Sequence, residues 1–232
     1  METRIRWGIG DFFWILLAQN LGGIAGFLLW YLPGLRELSS EAADVFLVNP
    51  SFFLATGGAL ILVARKGRRS LRVDFGLELR LRDWTAVPAA IGWFIVIALL
   101  TLPFTLLADV DEPAQDILRT LDDTRSTVRI VGMFAMAVVM APVLEELMFR
   151  GLLLRSLLRR GKPHTAIAAS GLVFGLLHLP GASGLGAAGT VVGLSALGMI
   201  FSMQAVKTGS LSRPIVTHAG FNLIGLGLTL AA

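Results

Sequence analysis

Residues 129–151 read RIVGMFAMAVVMAPVLEELMFRG, in which positions 130–144 contain no ionisable side chain. An α-helix needs about 20 mainly apolar residues to cross a hydrocarbon core of about 30 Å. This stretch therefore has the length and the composition of a membrane span. Two adjacent glutamates and an arginine stand near its end, although ionisable side chains inside a span are costly and generally functional.

The rest of the chain has the same apolar character. Of its 232 residues, 55% are hydrophobic and only 16% are charged, whereas about a quarter of a typical soluble chain is charged. We predict an all-α, polytopic integral membrane bundle with seven spans, or eight at most. The predicted spans are 10–31, 45–64, 86–108, 129–149, 164–180, 185–206 and 212–230.

We expect these spans to form one membrane domain over residues 1–232. Within it, residues 1–127 hold the N-terminal helices, an interfacial segment and a loop, and residues 128–230 hold the helices with the chemically informative motifs. The interfacial segment, 65–84, is too charged to cross a membrane, but its interleaved leucines and arginines suit an anionic leaflet. The acidic stretch 109–123 is expected to be a surface loop.

Charge and cysteine content narrow the possible functions. Without a cysteine, the chain has no disulfide, thiolate nucleophile, zinc-thiolate site or iron-sulfur cluster. The basic residues cluster between apolar runs, which suits lipid headgroups, and we predict no nucleic-acid partner. Placing the N-terminus in the cytoplasm puts 16 of the 20 Lys and Arg on the inside, as the positive-inside rule requires. We therefore predict a protein of the cytoplasmic (plasma) membrane in that orientation.

The two glutamates of the opening stretch have different expected roles. On a helix, Glu146 and Arg150 are four residues apart and are predicted to form a charge pair. Glu145 points about 100° away from Glu146, so it is available as a general base.

Two further spans each carry a histidine motif. Phe174 and His178 lie four residues apart in FGLLH, and His218 and Asn222 are spaced likewise in HAGFN. In a helical hairpin turning at 161–163, Glu145 and His178 are equally far from the turn, so they can face one another. A simple crossing by 164–180 would instead carry His178 to the far side, and we therefore expect irregular backbone in 180–189, lining a cavity.

Together, EExxxR, FxxxH and HxxxN resemble the CPBP family of intramembrane proteases, which joins type II CAAX prenyl endopeptidases with bacteriocin-processing, Abi-like enzymes. The resemblance covers about 128–228. It implies an all-helical membrane fold and an endopeptidase acting near the C-terminus or a membrane-proximal part of a substrate. The substrate would be a peptide or a lipidated protein, cut in a cavity open toward the cytoplasm.

The resemblance also implies roles for the motif residues. Glu145 and His178 would activate the attacking water, and His218 and Asn222 would form the oxyanion hole. Glu146 and Arg150 would orient the helix or the substrate's C-terminal carboxylate, and Phe174 would support this arrangement. No cofactor and no metal are expected.

Three alternatives stay open. Two imidazoles and a carboxylate could bind zinc, although the chain lacks HExxH. A non-catalytic scaffold or immunity protein could use the same fold to bind a peptide. A proton-coupled transporter is the third alternative, but the polar residues cluster toward one leaflet.

Overall fold

The helices of the structure follow the apolar runs of the sequence. The computed structural model describes residues 6–108, 127–179 and 184–231, and every regular element in these ranges is helical. The predicted all-α membrane bundle is confirmed. Its apolar helices, in chain order, are α1 (Ile9–Leu29), α2 (Asp44–Ala64), α3 (Ala86–Leu107), α4 (Ile130–Leu158), α5 (Pro163–Leu177), α6 (Leu185–Thr208) and α7 (Ser212–Ala231).

Three short helical elements accompany these helices. A turn at Ser40–Ala43 leads into α2, a π-helical turn occupies Leu71–Phe75, and a 3₁₀ turn at Leu81–Thr85 leads into α3. Within α4, the stretches Ala135–Met140 and Leu147–Leu154 are also π-helical. Such local widening of a helix is rare and is found frequently at functional sites.

Six of the seven predicted spans are long and apolar enough to cross a membrane, and the remaining one, α5, is shorter. Its 15 residues rise about 22 Å, less than the roughly 30 Å of a hydrocarbon core. A helix of this length that starts at the membrane surface would end inside the hydrocarbon layer. In that arrangement His178, at its C-terminal end, would not reach the far side.

Part of the predicted irregular segment 180–189 is helical. Helix α6 begins at Leu185, so the prediction of irregular backbone is wrong for 185–189, and 180–183 lie outside the described residues. The small, apolar side chains after Gly184 are compatible with a helix. The predicted acidic loop at 109–123 also lies outside the described residues.

The chain divides into two compact units, and the first comprises Met1–Leu77 and Ser126–Ser156. In this unit α1 packs closely on α2 through Gly22 and Gly26. A methyl group on Gly26 would lie 2.5 Å from the carbonyl oxygen of Leu47, and one on Gly22 would lie 2.4 Å from the Cβ of Ala55. Small residues at this spacing let two membrane helices approach closely.

The basic segment that follows α2 is attached to α4 in the same unit. The Asp74 carboxylate accepts hydrogen bonds from the backbone N–H groups of Arg68 and Ser70, which closes a tight loop. The Arg155 side chain of α4 donates to the Asp74 carbonyl at 3.1 Å. These bonds fix the loop against the end of α4.

The second unit comprises Glu78–Arg125 and Leu157–Ala232, and α6 is its central helix. Helix α6 contacts α3, α5 and α7. Half of its apolar window is buried, against at most 22% in each of the other long spans. The fold of this unit therefore positions the histidine motifs of α5 and α7 around one central helix.

Candidate active site

The first motif forms a buried ion pair within the first unit. Nη1 of Arg150 lies 2.9 Å from Oε1 of Glu146, and both side chains are 0% exposed. The pair joins the last residue of the α-helical turn Ala141–Glu146 to the π-helical stretch Leu147–Leu154. The predicted pairing of Glu146 with Arg150 is confirmed.

Two aromatic rings link this pair to α1. The Arg150 guanidinium lies 5.6 Å from the centre of the Phe149 ring, and that ring meets Phe12 of α1 edge-on at 5.3 Å. A guanidinium close to an aromatic ring gains cation–π attraction, which is stronger when the cation is removed from water. The pair and its rings therefore hold α4 against α1.

Glu145 has a different environment from its neighbour. Its side chain is partly exposed, whereas Glu146 is completely buried, although one Glu145 carboxylate oxygen, Oε2, is itself buried. Because the two residues are successive on a helix, their side chains leave α4 in directions about 100° apart. One glutamate thus belongs to the helix-packing pair and the other lies beside it.

The second and third motifs meet in the second unit, at the ring of Phe174. This ring lies 4.4 Å from the His178 ring and 5.9 Å from the His218 ring, measured between centroids. Phe174 is fully buried, and its ring contacts the imidazoles of both α5 and α7. Both histidine motifs therefore contribute to one aromatic cluster.

The backbone of α5 determines the tautomer of His178. Its Nδ1 lies 2.7 Å from the carbonyl oxygen of Phe174. A carbonyl oxygen only accepts hydrogen bonds, so Nδ1 must carry the proton and donate it. In the neutral imidazole, Nε2 then has the lone pair and can accept a proton or a hydrogen bond.

His218 is more deeply buried than His178. Only 4% of it is exposed, and its ring stacks on Phe201 of α6, with centroids 4.8 Å apart and ring planes 25° apart. Asn222 follows one turn later on α7 and is partly buried. The imidazole and the amide therefore share one face of α7, as the spacing predicted.

Phe201 was not among the residues predicted from the sequence. It stands in an apolar run, GMIFS, where every position is compatible with lipid or with protein. A usable signal was the spacing of small residues in α6, because Ser195, Gly198 and Ser202 are buried on the face that packs inside the unit. Phe201 lies between two of them.

Small residues also bring α5 and α6 into close contact beside the histidines. A methyl group on Gly175 would lie 2.6 Å from the Val191 carbonyl oxygen and 2.7 Å from the Ser195 backbone nitrogen. The backbones of the two helices therefore meet where Phe174 and His178 leave α5. This contact fixes the position of both side chains.

In 6–108, 127–179 and 184–231, no group of three or more His, Asp or Glu side chains is placed to hold one metal ion.

The motif residues divide between the two units. Glu145, Glu146 and Arg150 belong to the first unit, and Phe174, His178, His218 and Asn222 belong to the second.

The comparison with protein families agrees with the motifs. Residues 127–224 match the family described as type II CAAX prenyl endopeptidase Rce1-like, and this range contains all seven motif residues. No curated protein and no solved structure matches the chain. The match is consistent with the CPBP family that the motifs resemble, and it covers residues 127–224 of this integral membrane protein.

Proposed function

We propose that the chain is an intramembrane endopeptidase that hydrolyses a peptide bond near the C-terminus or in a membrane-proximal part of its substrate. The observation that supports this most is the orientation of His178. Its Nδ1–H is bonded to the Phe174 carbonyl, which leaves Nε2 as a hydrogen-bond acceptor inside the range that matches the protease family.

In this proposal Glu145 and His178 act on the same water molecule. The water donates one hydrogen bond to Nε2 of His178 and gives its other proton to the Glu145 carboxylate as its oxygen attacks the substrate carbonyl carbon. The tetrahedral intermediate then collapses, the C–N bond breaks, and the leaving amine takes the proton from Glu145. General base and general acid catalysis of this kind contributes about 10² to 10⁴ in rate.

His218 and Asn222 are proposed as donors to the developing oxyanion. Donors of this type act best when their direction is fixed before the reaction, because no reorganisation is then needed in the transition state. The stacking of His218 on Phe201 and its burial supply such a fixed direction. The Asn222 amide, four residues later on α7, would supply the second hydrogen bond.

Glu146 and Arg150 are proposed as positioning residues. Both are completely buried and paired with each other, which supports a role in orienting α4 over contact with the substrate's terminal carboxylate. Phe174 is proposed to hold the two imidazoles apart at a constant distance. The site is proposed to open toward the cytoplasm, on a peptide or lipidated-protein substrate.

The test is cleavage of a panel of quenched peptides by the detergent-purified chain. The panel contains prenylated and unprenylated C-terminal tails and a peptide precursor with a leader. Glu145→Gln and His178→Ala are compared with matched variants at exposed residues outside the motifs, Glu37→Gln and His164→Ala. Turnover that is lost in the first two, kept in the controls and resistant to chelators supports the metal-free protease.

Two other results would contradict the proposal. Turnover that a chelator abolishes and zinc alone restores would make Glu145 and the histidines zinc ligands. Absence of turnover on every peptide, with all variants folded, would favour the non-catalytic scaffold, and capture of the unmodified peptides would then be measured. Faster cleavage of one type of peptide in the panel identifies the substrate class.

A further inference from the structure

A groove of about 640 Å³ opens in the second unit beside the turn between α6 and α7. None of its lining residues belongs to the three motifs. One wall consists of α3 side chains and backbone, and the other consists of the C-terminal end of α6 and the start of α7. The lining residues are Ala89, Gly92, Trp93, Val96, Gln204, Lys207, Thr208 and Arg213.

The two ends of this groove differ in polarity. Lys207 and Arg213 lie at the α6–α7 turn and provide two positive charges, and no carboxylate is among the lining residues. The α3 wall is apolar apart from the indole nitrogen of Trp93. Between the two ends lies the amide side chain of Gln204. The groove therefore has a cationic end and an apolar wall.

The segment before α3 places the cationic end at the membrane–water boundary. The Arg80 side chain donates to the Thr208 carbonyl at 3.4 Å, and its backbone N–H donates to Ser212 at 2.8 Å. In the same segment the side chains of Leu81 and Trp84 point outward, 88% and 63% exposed. Tryptophan and arginine are typical of the interfacial layer, so the α6–α7 turn lies at this level.

The apolar wall then runs inward from that level. Helix α3 begins at Ala86, and Val96 lies ten residues further along, which corresponds to a rise of about 15 Å. This is about half of a hydrocarbon core of roughly 30 Å. The groove thus spans the depth that the headgroup and the upper part of an acyl chain occupy in one leaflet.

We propose that this groove binds one anionic phospholipid. Lys207 and Arg213 hold the phosphate, and an acyl chain lies along Gly92 and Val96. A choline headgroup would bring a cation next to two cations. A free phosphate ion would leave the apolar wall without a partner.

The experiment measures lipid binding to the full chain after delipidation in detergent. Phosphatidylglycerol, phosphatidylcholine and inorganic phosphate are titrated separately, and bound lipid is counted by native mass spectrometry. Phosphatidylglycerol with brominated acyl chains is then used to quench tryptophan fluorescence. Quenching that disappears in Trp93→Phe assigns the bound lipid to this groove.

Two kinds of variant test the two ends of the groove. Lys207→Gln combined with Arg213→Gln is expected to weaken phosphatidylglycerol binding about 30-fold. Its control, Arg65→Gln with Arg68→Gln, removes the same charge from exposed positions in another basic segment. Gly92→Leu fills the apolar wall, since a Cβ there meets nothing within 4 Å, and is expected to weaken binding about tenfold. Gly227→Leu is its control, because it is equally unobstructed on α7.

The proposal is supported if phosphatidylglycerol binds and both groove variants lose it while both controls keep it. Equal binding of phosphatidylcholine would overturn it. An equal loss of phosphatidylglycerol binding in the groove charge variant and in its Arg65→Gln/Arg68→Gln control would also overturn it, because binding would then depend only on net charge. Retained binding in folded Gly92→Leu and in the double charge variant would overturn it as well. Binding of inorganic phosphate as tight as that of the lipid would show an ion site and not a lipid site.

Discussion

The imidazole of His218 lies nearly parallel to the ring of Phe201, with centroids 4.8 Å apart and planes at 25°. An imidazole forms hydrogen bonds only in its ring plane, through Nδ1 and Nε2, so stacking on Phe201 and burial fix the directions in which His218 can donate. An oxyanion donor needs this restriction, because its contribution depends on a fixed direction toward the developing charge. The proposed role of His218 therefore depends on a residue of the neighbouring helix.

Replacing Phe201 by leucine is expected to reduce kcat about tenfold without abolishing the fold. Leucine keeps the site apolar but removes the flat surface that fixes the imidazole plane. The lost ring contacts should also cost about 1–2 kcal/mol in the free energy of unfolding. Steady-state cleavage and thermal unfolding in detergent measure the two effects.

Phe75→Leu is the matched control for this change. Phe75 is also fully buried and contacts Trp7 at 5.3 Å, but it touches no imidazole. The control should lose similar stability and retain its kcat per folded molecule. Equal losses of kcat in Phe201→Leu and Phe75→Leu would show that stacking on His218 has no specific role.

Removing either proposed oxyanion donor should lower kcat and leave KM nearly unchanged. Loss of one such donor typically costs about 10²- to 10³-fold in kcat. We expect this loss for Asn222→Ala and for His218→Ala, measured by steady-state kinetics on the same peptide. The control is Asn49→Ala, which removes only a bond to the Asp44 carbonyl at an exposed position.

The combination of the two changes gives a second readout. Residues that act as a unit on one atom are strongly non-additive. The double variant should therefore be less impaired than the product of the single effects predicts. A rise in KM with unchanged kcat in Asn222→Ala would assign Asn222 to ground-state substrate binding.

The sequence predicted the features that depend on composition and helical spacing. Runs of apolar residues predicted the helices, because a helix that crosses a membrane needs about 20 such residues in succession. The four-residue spacing of Glu146 and Arg150 predicted their ion pair, since residues i and i+4 are neighbours on a helix. The structure contains both.

Features that depend on contacts between helices were not predictable in this way. Phe201 lies in a helix whose apolar residues surround it on all sides, so periodicity cannot tell which face meets protein. Helix α5 ends at Leu177, beside the bond from the His178 imidazole to the Phe174 carbonyl, a contact that hydropathy does not show. The span predicted at 185–206 matches α6, but irregular backbone was also expected over 185–189, because Gly and Ala are compatible with both helix and irregular backbone.

Losing one residue of the buried pair Glu146 and Arg150 is expected to destabilise the protein more than losing both. Removing one partner leaves an uncompensated buried charge, which typically costs about 3–5 kcal/mol. Glu146→Leu and Arg150→Met should each be destabilised by about this amount, and Glu146→Leu/Arg150→Met should be less destabilised than either. Thermal unfolding in detergent checks this, with Lys66→Met as the control for a partly exposed pair, that of Lys66 with Asp11, expected to cost about 1 kcal/mol.

The same double variant separates positioning from substrate binding. Peptides with a free C-terminus and their C-terminal amides are cleaved side by side. A positioning pair leaves the ratio of their kcat/KM values unchanged in the double variant. A selective rise in KM for peptides with a free C-terminus would mean that Arg150 binds the substrate carboxylate.

Gly175 is expected to be the least replaceable small residue near the histidines. An added methyl group would meet the Val191 carbonyl oxygen and the Ser195 backbone nitrogen within 2.7 Å, and backbone atoms cannot move aside as a flexible side chain can. Gly175→Ala must therefore push α5 away from α6. Overpacking of this kind typically costs about 1–3 kcal/mol. Because Phe174 directly precedes Gly175, the aromatic cluster should move with α5.

Gly186→Ala on α6 is the matched control, because a Cβ there meets nothing within 4 Å. Alanine in a helix is favoured over glycine by about 1 kcal/mol, so this variant should be as stable as the wild type or slightly more stable. Thermal unfolding and cleavage activity are measured for both. Gly175→Ala should lose activity even at temperatures where it remains folded, since the two imidazoles depend on the ring of Phe174. Full activity in folded Gly175→Ala would mean that the close approach of α5 and α6 does not position the histidines.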